Sequence, residues 1–214
     1  MPKIVDPKQM DYLCKLRKEE DPLILEMEVF AKSEKIPILD WKSVEFIEQI
    51  VFIQKPKRVL EIGTAIAYTS IRIAKCLIGE CIIDTIEKSK DNVTLAKNFI
   101  KRSGVGSKIN LIEGDAFDIL PKLKFKYDLI FLDADKGDYQ ELFDLSMKLL
   151  KKDGLIIIDN LLWYGFAASS RVQRKYKTST KHIRLFNENF VLHPELKVTI
   201  LPFGDGIGFG IKLK

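Results

Sequence analysis

The sequence predicts an α/β fold, a doubly wound and mostly parallel sheet with helices ahead of it, and three observations carry that prediction. From Lys57 onward, short runs of β-branched and apolar residues alternate with amphipathic helical stretches, the βαβ pattern that makes a parallel sheet. Two of the runs, Tyr127 to Leu132 and Leu155 to Ile158, stop at Asp133 and Asp159 in IFLDADKGDY and GLIIIDNLLW. Acids so placed project from the carboxyl ends of buried strands, the edge at which open α/β sheets bind ligands. The last two runs are only four residues apart, too few for a parallel crossover.

In order, helices are predicted near Pro7–Lys18, Pro22–Lys35 and Trp41–Gln54, separated by Asp21-Pro22 and by Ile36-Pro37-Ile38. Strand Arg58–Gly63, helix Tyr68–Leu77, strand Cys81–Glu87, helix Lys90–Ser103 and strand Lys108–Glu113 follow from the change in hydrophobic period. Strand Tyr127–Asp133 comes next. Helix Tyr139–Leu150 shows a broad apolar face of Leu142, Phe143, Leu145, Leu149 and Leu150, and strand Leu155–Asp159 succeeds it. A helix around Thr180–Leu192 (Ile183, Phe186, Phe190) precedes strands Leu196–Leu201 and Gly206–Lys212, which PFGD joins as an antiparallel pair at the sheet edge. No linker, repeat or low-complexity tract interrupts residues 1–214, so one domain is expected, with residues 1–54 as a helical cap belonging to it.

Composition bounds the function. A chain of 214 residues with 46% apolar content buries a full core, and a charge of +5 is too mild to declare a nucleic-acid partner. Three cysteines without CxxC spacing and two histidines support neither a disulfide framework nor a zinc site. The N-terminus has acids and no apolar core segment, and no window nears 18 apolar residues; a cytoplasmic protein with no membrane span is expected.

The chemistry-bearing positions cluster at strand ends. Asp133, Asp159 and the Asn160 amide offer three hard oxygen donors from adjacent strands, a set suited to Mg²⁺ or Mn²⁺. VLEIGTAIAYTS is a strand, a tight turn at Gly63 and a helix start. It lacks both GxGxxG and GxxxxGK[ST], which disfavours NAD and P-loop nucleotides; Glu61 would offset the charge of a cationic ligand. Glu87 ends the second strand where a carboxylate accepts from ribose hydroxyls. Asp115-Ala116 follows the third strand and reads equally as a helix N-cap. His182 and His193 have no partners at ligand spacing, and Asp135 and Asp138 read as helix-start charge.

LEIGTAIAYTS, DTIEKS, EGDAFDILP, FLDADKGDY, IIIDNLLW, FN and LPFGDG, in that order, resemble the cation-dependent O-methyltransferases related to catechol O-methyltransferase, from about Ile36 to Lys212. The resemblance implies a seven-stranded sheet in the order 3-2-1-4-5-7-6 with the last strand antiparallel, and a homodimer. It implies S-adenosylmethionine contacts at Ile38, Glu61, Gly63, Thr69, Glu87, Asp115, Ala116 and Asp133, metal ligation by Asp133, Asp159 and Asn160, and a catalytic Lys136. Two positions depart from the family pattern. Ala67 stands where glycine is usual, so its methyl would crowd the cofactor, and Thr69 stands for serine and keeps the hydroxyl.

An octahedral Mg²⁺ with three protein ligands leaves room for two substrate oxygens and a water, so the acceptor is expected to chelate. A catechol does this, and so does 5-hydroxyuridine. From Asn160 to Asn187 there is no acid, while Arg171, Arg174, Lys175, Lys177, Lys181 and Arg184 gather around Tyr176, a stretch suited to phosphates and a stacked base. LEMEVFAKSEKIPI ahead of KPKRVLEIGTAI resembles the bacterial tRNA 5-hydroxyuridine methyltransferases. The expectation is therefore methylation of 5-hydroxyuridine in tRNA. The alternatives are a small catechol or phenol acceptor, and a non-catalytic RNA-binding relative, which the intact ligand set and Lys136 disfavour.

Overall fold

The structure, a computed structural model, describes residues 6–77 and 79–214. Three helices lead: α1 (Pro7–Leu16), α2 (Pro22–Glu34) and α3 (Trp41–Gln54). Each starts at an aspartate, Asp6, Asp21 or Asp40, whose side chain accepts from main-chain N–H groups of the first turn. Proline at the first helical position of α1 and α2 sacrifices an N–H that has no intrahelical partner anyway.

Then come β1 (Arg58–Ile62), α4 (Tyr68–Cys76), β2 (Ile82–Glu87), α5 (Lys90–Arg102), β3 (Ile109–Glu113), α6 (Ala116–Ile119) and β4 (Tyr127–Leu132). The chain ends with α7 (Tyr139–Leu149), β5 (Leu150–Ile158), α8 (Lys177–Val191), β6 (Leu196–Leu201) and β7 (Ile207–Lys212). The sheet order is β3-β2-β1-β4-β5-β7-β6. Strands β1 to β5 are parallel, and β7 runs antiparallel to both β5 and β6. Fold class and strand order match the expectation.

Alternation along the strands sorts side chains into two cores. Val59, Leu129, Phe131, Leu155 and Ile157 pack with α2, α3 and α4 on one face, and Leu60, Ile62, Ile130, Leu132, Ile156 and Ile158 pack with α7 and α8 on the other. Helices α2 and α3 thus share a core with the sheet, through Ile24, Met27, Val44, Ile47 and Val51. A buried ion network reinforces that face: Arg72 of α4 donates Nε to Glu48 at 2.6 Å and pairs with Glu19 at 3.0 Å, while Tyr68 donates to Glu28 at 2.5 Å.

Two boundaries differ from expectation by three residues or more, and the others by at most two. Strand β5 begins at Leu150 rather than Leu155, because Tyr127 pairs with Leu150 and the register then shifts to Leu129 with Leu155. The extra residues include Asp153 at φ 60, a bulge that no hydrophobic period reveals. Helix α8 starts at Lys177 rather than Thr180: its first turn, KTST, has poor intrinsic helix propensity but is tied back by Thr180 Oγ1 donating to Tyr176 O at 2.7 Å.

Candidate active site

Ladder hydrogen bonds that run one residue past each strand assemble the site. Gly63 donates N–H to Ile86 O at 3.1 Å, Asp133 to Ile62 O at 2.9 Å, Asp159 to Leu132 O at 3.1 Å, and Gly114 to Glu87 O at 2.9 Å. The ends of five adjacent strands, β3, β2, β1, β4 and β5, therefore share one edge. A cavity of about 480 Å³ opens there, in the range of small-molecule sites. Of the residues singled out in the sequence, Ile38, Gly63, Glu87, Asp115, Ala116, Asp133, Lys136, Asp159 and Asn160 line it.

Glu61 and Thr69 do not. Glu61 lies one residue short of the strand end, so its side chain turns under α4, where Ser70 Oγ and Thr85 Oγ1 (2.5 Å) donate to its Oε2. It is 1% exposed, and burial pushes the carboxyl up to about 7 against those two bonds. Thr69 is buried in the first turn of α4. Ala67 is fully buried in the core facing α2 and α3 rather than in the cavity. Its cost is conformational: φ is 66°, a left-handed geometry worth roughly 1 to 2 kcal/mol for an L side chain. No crowding of a cavity ligand follows from its methyl.

Glu87 accepts from Ala65 N at 2.9 Å through Oε2 and from Ser89 N at 2.7 Å through Oε1, so the acid is held rigidly by the turns on either side. Asp115 is the N-cap of α6 and accepts from Phe117 N at 2.9 Å. Both readings of Asp115 hold together, since it caps the helix and lines the cavity.

Lys136 organises the next part. Its Nζ donates to Asn160 Oδ1 at 2.5 Å, Tyr139 OH at 2.7 Å, Ala134 O at 2.9 Å and Asp133 Oδ1 at 3.2 Å. An ammonium has three hydrogens, so one is shared among four acceptors. Tyr139 is fully buried and donates in turn to Asp159 O at 2.9 Å. Asp159 is 5% exposed; burial and the nearby Asp133 charge hold its carboxyl well above the usual range, with Lys136 opposing. Among the described residues no three His, Cys, Asp or Glu side chains gather around one point. The expected trio is two carboxylates and an amide, and the convergence of Asp133 Oδ1 and Asn160 Oδ1 on a cationic nitrogen fits a cation-binding donor set.

The segment after β5 forms the outer wall. Asn160, Trp163, Tyr164 and Gly165 all have positive φ, at 60°, 49°, 55° and 77°, and Trp163 and Tyr164 line the cavity. Their rings join Phe166 and Tyr176 in a cluster with centroid separations of 5.1 to 6.1 Å. The turn before β7 fastens this wall: Leu161 N donates to Gly206 O at 2.9 Å, Leu162 N to Asp205 O at 2.8 Å, and Tyr164 N to Asp205 Oδ1 at 2.5 Å. Burial pushes the Asp205 carboxyl up to about 6, against Tyr164 N–H, Lys136 and the Asn160 amide, which all favour its charge.

The basic segment divides. Arg171, Arg174, Lys175, Lys177 and Lys181 are exposed and make no ion pair among the described residues, and Lys175 Nζ sits 4.6 Å from the Tyr176 ring centroid. Arg184 is spent on structure, donating to Ala167 O at 2.9 Å and Phe166 O at 3.0 Å. His182 is exposed and His193 packs edge-on against Phe143 at 5.4 Å.

A family model described as O-methyltransferase matches residues 18–213. The chain belongs to the O-methyltransferase family. The O-methyltransferase is 30% identical over 171 residues to a caffeoyl-CoA O-methyltransferase of Populus kitakamiensis, covering 76% of this chain and 72% of the relative. It is 29% identical over 171 residues to a flavonoid 3',5'-methyltransferase of Vitis vinifera, with 76% and 73% covered. A Bacillus cereus O-methyltransferase solved with S-adenosylhomocysteine shares its fold with a TM-score of 0.83 at 24% identity, over 94% of this chain and 96% of that one. S-adenosylmethionine-dependent O-methylation, the activity class expected from the motifs, stands with this family. No helix among the described residues is long and apolar enough to cross a membrane.

Sequence alone points to no role for Tyr139, Trp163, Tyr164 or Asp205, though each lies in or beside one of the motifs. The signal for Trp163 and Tyr164 was present in composition, as adjacent aromatics just past a strand-terminal acid. That for Asp205 was not, because the contact spans 41 residues.

Proposed function

We propose that this O-methyltransferase moves the methyl group of S-adenosylmethionine to one of two neighbouring oxygens on a small phenolic acceptor. The observation that carries the reading is that Lys136 Nζ, Asp133 Oδ1 and Asn160 Oδ1 converge with Nζ 5.8 Å from the centroid of the Trp163 ring, in a cavity that Trp163 and Tyr164 also line. Oxygen-binding groups there meet an aromatic seat. The cofactor is assigned to the other end, where Ile38, Gly63, Glu87, Asp115 and Ala116 line the cavity and Glu87 faces the ribose. The C–S bond breaks as the O–C bond forms, in line, with the electron pair left on sulfur. Lys136 orients the acceptor oxygen: as the neutral amine it takes the hydroxyl proton, and as the ammonium it holds by charge an oxyanion whose proton has passed to water. Asp133, Asp159 and Asn160 are assigned to Mg²⁺ or Mn²⁺, which when bound supplies further stabilisation of that oxyanion.

The relatives named for caffeoyl-CoA and flavonoid methylation favour this acceptor class, which reverses the order of the two readings drawn from sequence. The test is product analysis with S-adenosylmethionine, Mg²⁺ and a vicinal dihydroxyphenol against its monohydroxy analogue. Monomethylation of the diol alone, lost in excess chelator, is expected; methylation of the monohydroxy compound at equal rate overturns the reading.

A tRNA acceptor is the second reading, favoured by five exposed cations that make no ion pair among the described residues and lie beside an aromatic cluster. It predicts conversion of 5-hydroxyuridine to 5-methoxyuridine in tRNA. Neutralising Arg174, Lys175 and Lys177 would then flatten the salt dependence of tRNA binding by about 0.7 per lost contact.

A further inference from the structure

We propose that Asp205 is a positioning residue for the acceptor: its carboxylate holds the Trp163–Tyr164 wall in its left-handed shape and so sets which of two acceptor oxygens is presented. The inference rests on the reading of that wall as the acceptor's seat. Trp163 and Tyr164 occupy a backbone region that L side chains avoid, at φ 49° and 55°, and persist there only because surrounding structure over-determines them. Trp163 N donates to Asn160 O at 3.2 Å and Gly165 N to Leu162 O at 2.9 Å within the segment, Asn187 Nδ2 donates to Leu161 O at 2.8 Å, and three further restraints come from the turn before β7. Leu161 N and Leu162 N donate to Gly206 O and Asp205 O, main-chain bonds that any residue at 205 would keep. The third restraint from that turn, Tyr164 N–H to Asp205 Oδ1, is the only one of the three that belongs to a side chain.

The turn itself has little freedom to adjust. Gly206 has φ 92°, and a Cβ there would meet Leu162 N at 2.6 Å, so the two segments are in backbone contact. Asp205 also lies beside the Asn160 amide and feels Lys136. Its second oxygen, Oδ2, is buried without a well-formed hydrogen bond. One carboxylate therefore touches the aromatic wall through Tyr164 and borders the oxygen-binding group through Asn160. Removing it frees Tyr164 N–H and loosens the wall, while the cofactor end at Gly63 and Glu87 keeps all its contacts.

The experiment compares Asp205→Ala and Asp205→Asn. Asparagine keeps an oxygen for Tyr164 N–H and is expected to hold the wall. With an unsymmetrical vicinal dihydroxyphenol, wild type and Asp205→Asn should give one dominant monomethyl product. Asp205→Ala should drift toward equal amounts of the two, with acceptor KM up by about tenfold, since a misplacement on the order of 1 Å at a reacting centre carries costs of that order or more. Calorimetric affinity for S-adenosylhomocysteine should stay within about twofold.

A readout in the resting protein separates this proposal from the acceptor assignment. The chain has two tryptophans, Trp41 and Trp163, so in a Trp41→Phe background the Asp205→Ala change should raise acrylamide quenching of Trp163 and Asp205→Asn should not. If no dihydroxyphenol is turned over, the acceptor reading fails and the quenching still decides the role of Asp205. Asp205→Ser, whose hydroxyl falls short of Tyr164 N, replaces the alanine variant if that one does not fold. Unchanged quenching and product ratio in a folded Asp205→Ala or Asp205→Ser protein overturn the proposal, as does an Asp205→Asn protein that loses its product preference.

Discussion

A Cβ placed on Gly63 would stand 1.9 Å from the carbonyl oxygen of Asp133. The ends of β1 and β4 are therefore in van der Waals contact through main-chain atoms, and the cavity floor exists because residue 63 has no side chain. Its φ of 99° adds a second reason. Gly63→Ala should cost at least about 3 kcal/mol, combining backbone strain with a clash that neither carbonyl nor turn can yield to cheaply. Urea unfolding measures the cost. Affinity for S-adenosylhomocysteine should collapse with it, and an unchanged midpoint would mean the two strand ends do not meet as described.

Glu61 makes a pH-dependent contribution whose sign is fixed by its raised pKa of about 7 against an ordinary 4.5. Between those values the folded protein holds a proton that the unfolded chain releases, so stability falls as pH rises through the window. The loss reaches about 3 kcal/mol above pH 7. Glu61→Gln mimics the protonated acid. The melting temperature of wild type should drop relative to Glu61→Gln between pH 5 and 8, and parallel curves for the two proteins would remove Glu61 as the cause.

Ala67 supports a smaller prediction. Its left-handed φ and its buried methyl act in opposite directions: glycine would relieve the strain but lose roughly 0.8 kcal/mol of buried hydrocarbon and some chain entropy. Ala67→Gly should change stability by less than about 1 kcal/mol and leave S-adenosylhomocysteine affinity within about twofold, measured by calorimetry. A large gain in affinity would show that the Ala67 methyl crowds the cofactor after all.

What was legible in the sequence follows from which interactions are local. Strand-end acids and period-two apolar runs are properties of a few neighbouring residues, and they placed Asp133, Asp159, Asn160 and Glu87 on the right edge of the right sheet. Glu61 shows the limit. Its position in the motif suggested the cavity, but a shift of one residue along a strand reverses the face of the side chain, and Ser70 and Thr85 already satisfy it. The basic segment shows another limit. Arg184 looked like its neighbours in composition, yet three loop carbonyls accept from it. Such long-range partners have no sequence period and appear only once the chain is folded.

Lys136 and Tyr139 make the last prediction because they separate chemistry from support. The Lys136 ammonium is held by Tyr139 OH at 2.7 Å, and the same hydroxyl donates to the Asp159 carbonyl at 2.9 Å. Burial and the charges of Asp133 and Asp159 push the Tyr139 hydroxyl well above its usual pKa, so it stays neutral and keeps its proton for that carbonyl. Lys136→Ala should lower kcat by roughly 10²-fold or more, the range for a positioned proton-transfer group, with S-adenosylhomocysteine affinity unchanged. Tyr139→Phe should lower kcat by less, about tenfold, and should also cost about 1 to 2 kcal/mol of stability, because Asp159 O loses its buried donor. The double variant should be no slower than Lys136→Ala alone, since Tyr139 acts on the reaction only through the lysine. Steady-state kinetics of the three proteins decide it: additive losses would mean that Tyr139 contributes by a route of its own.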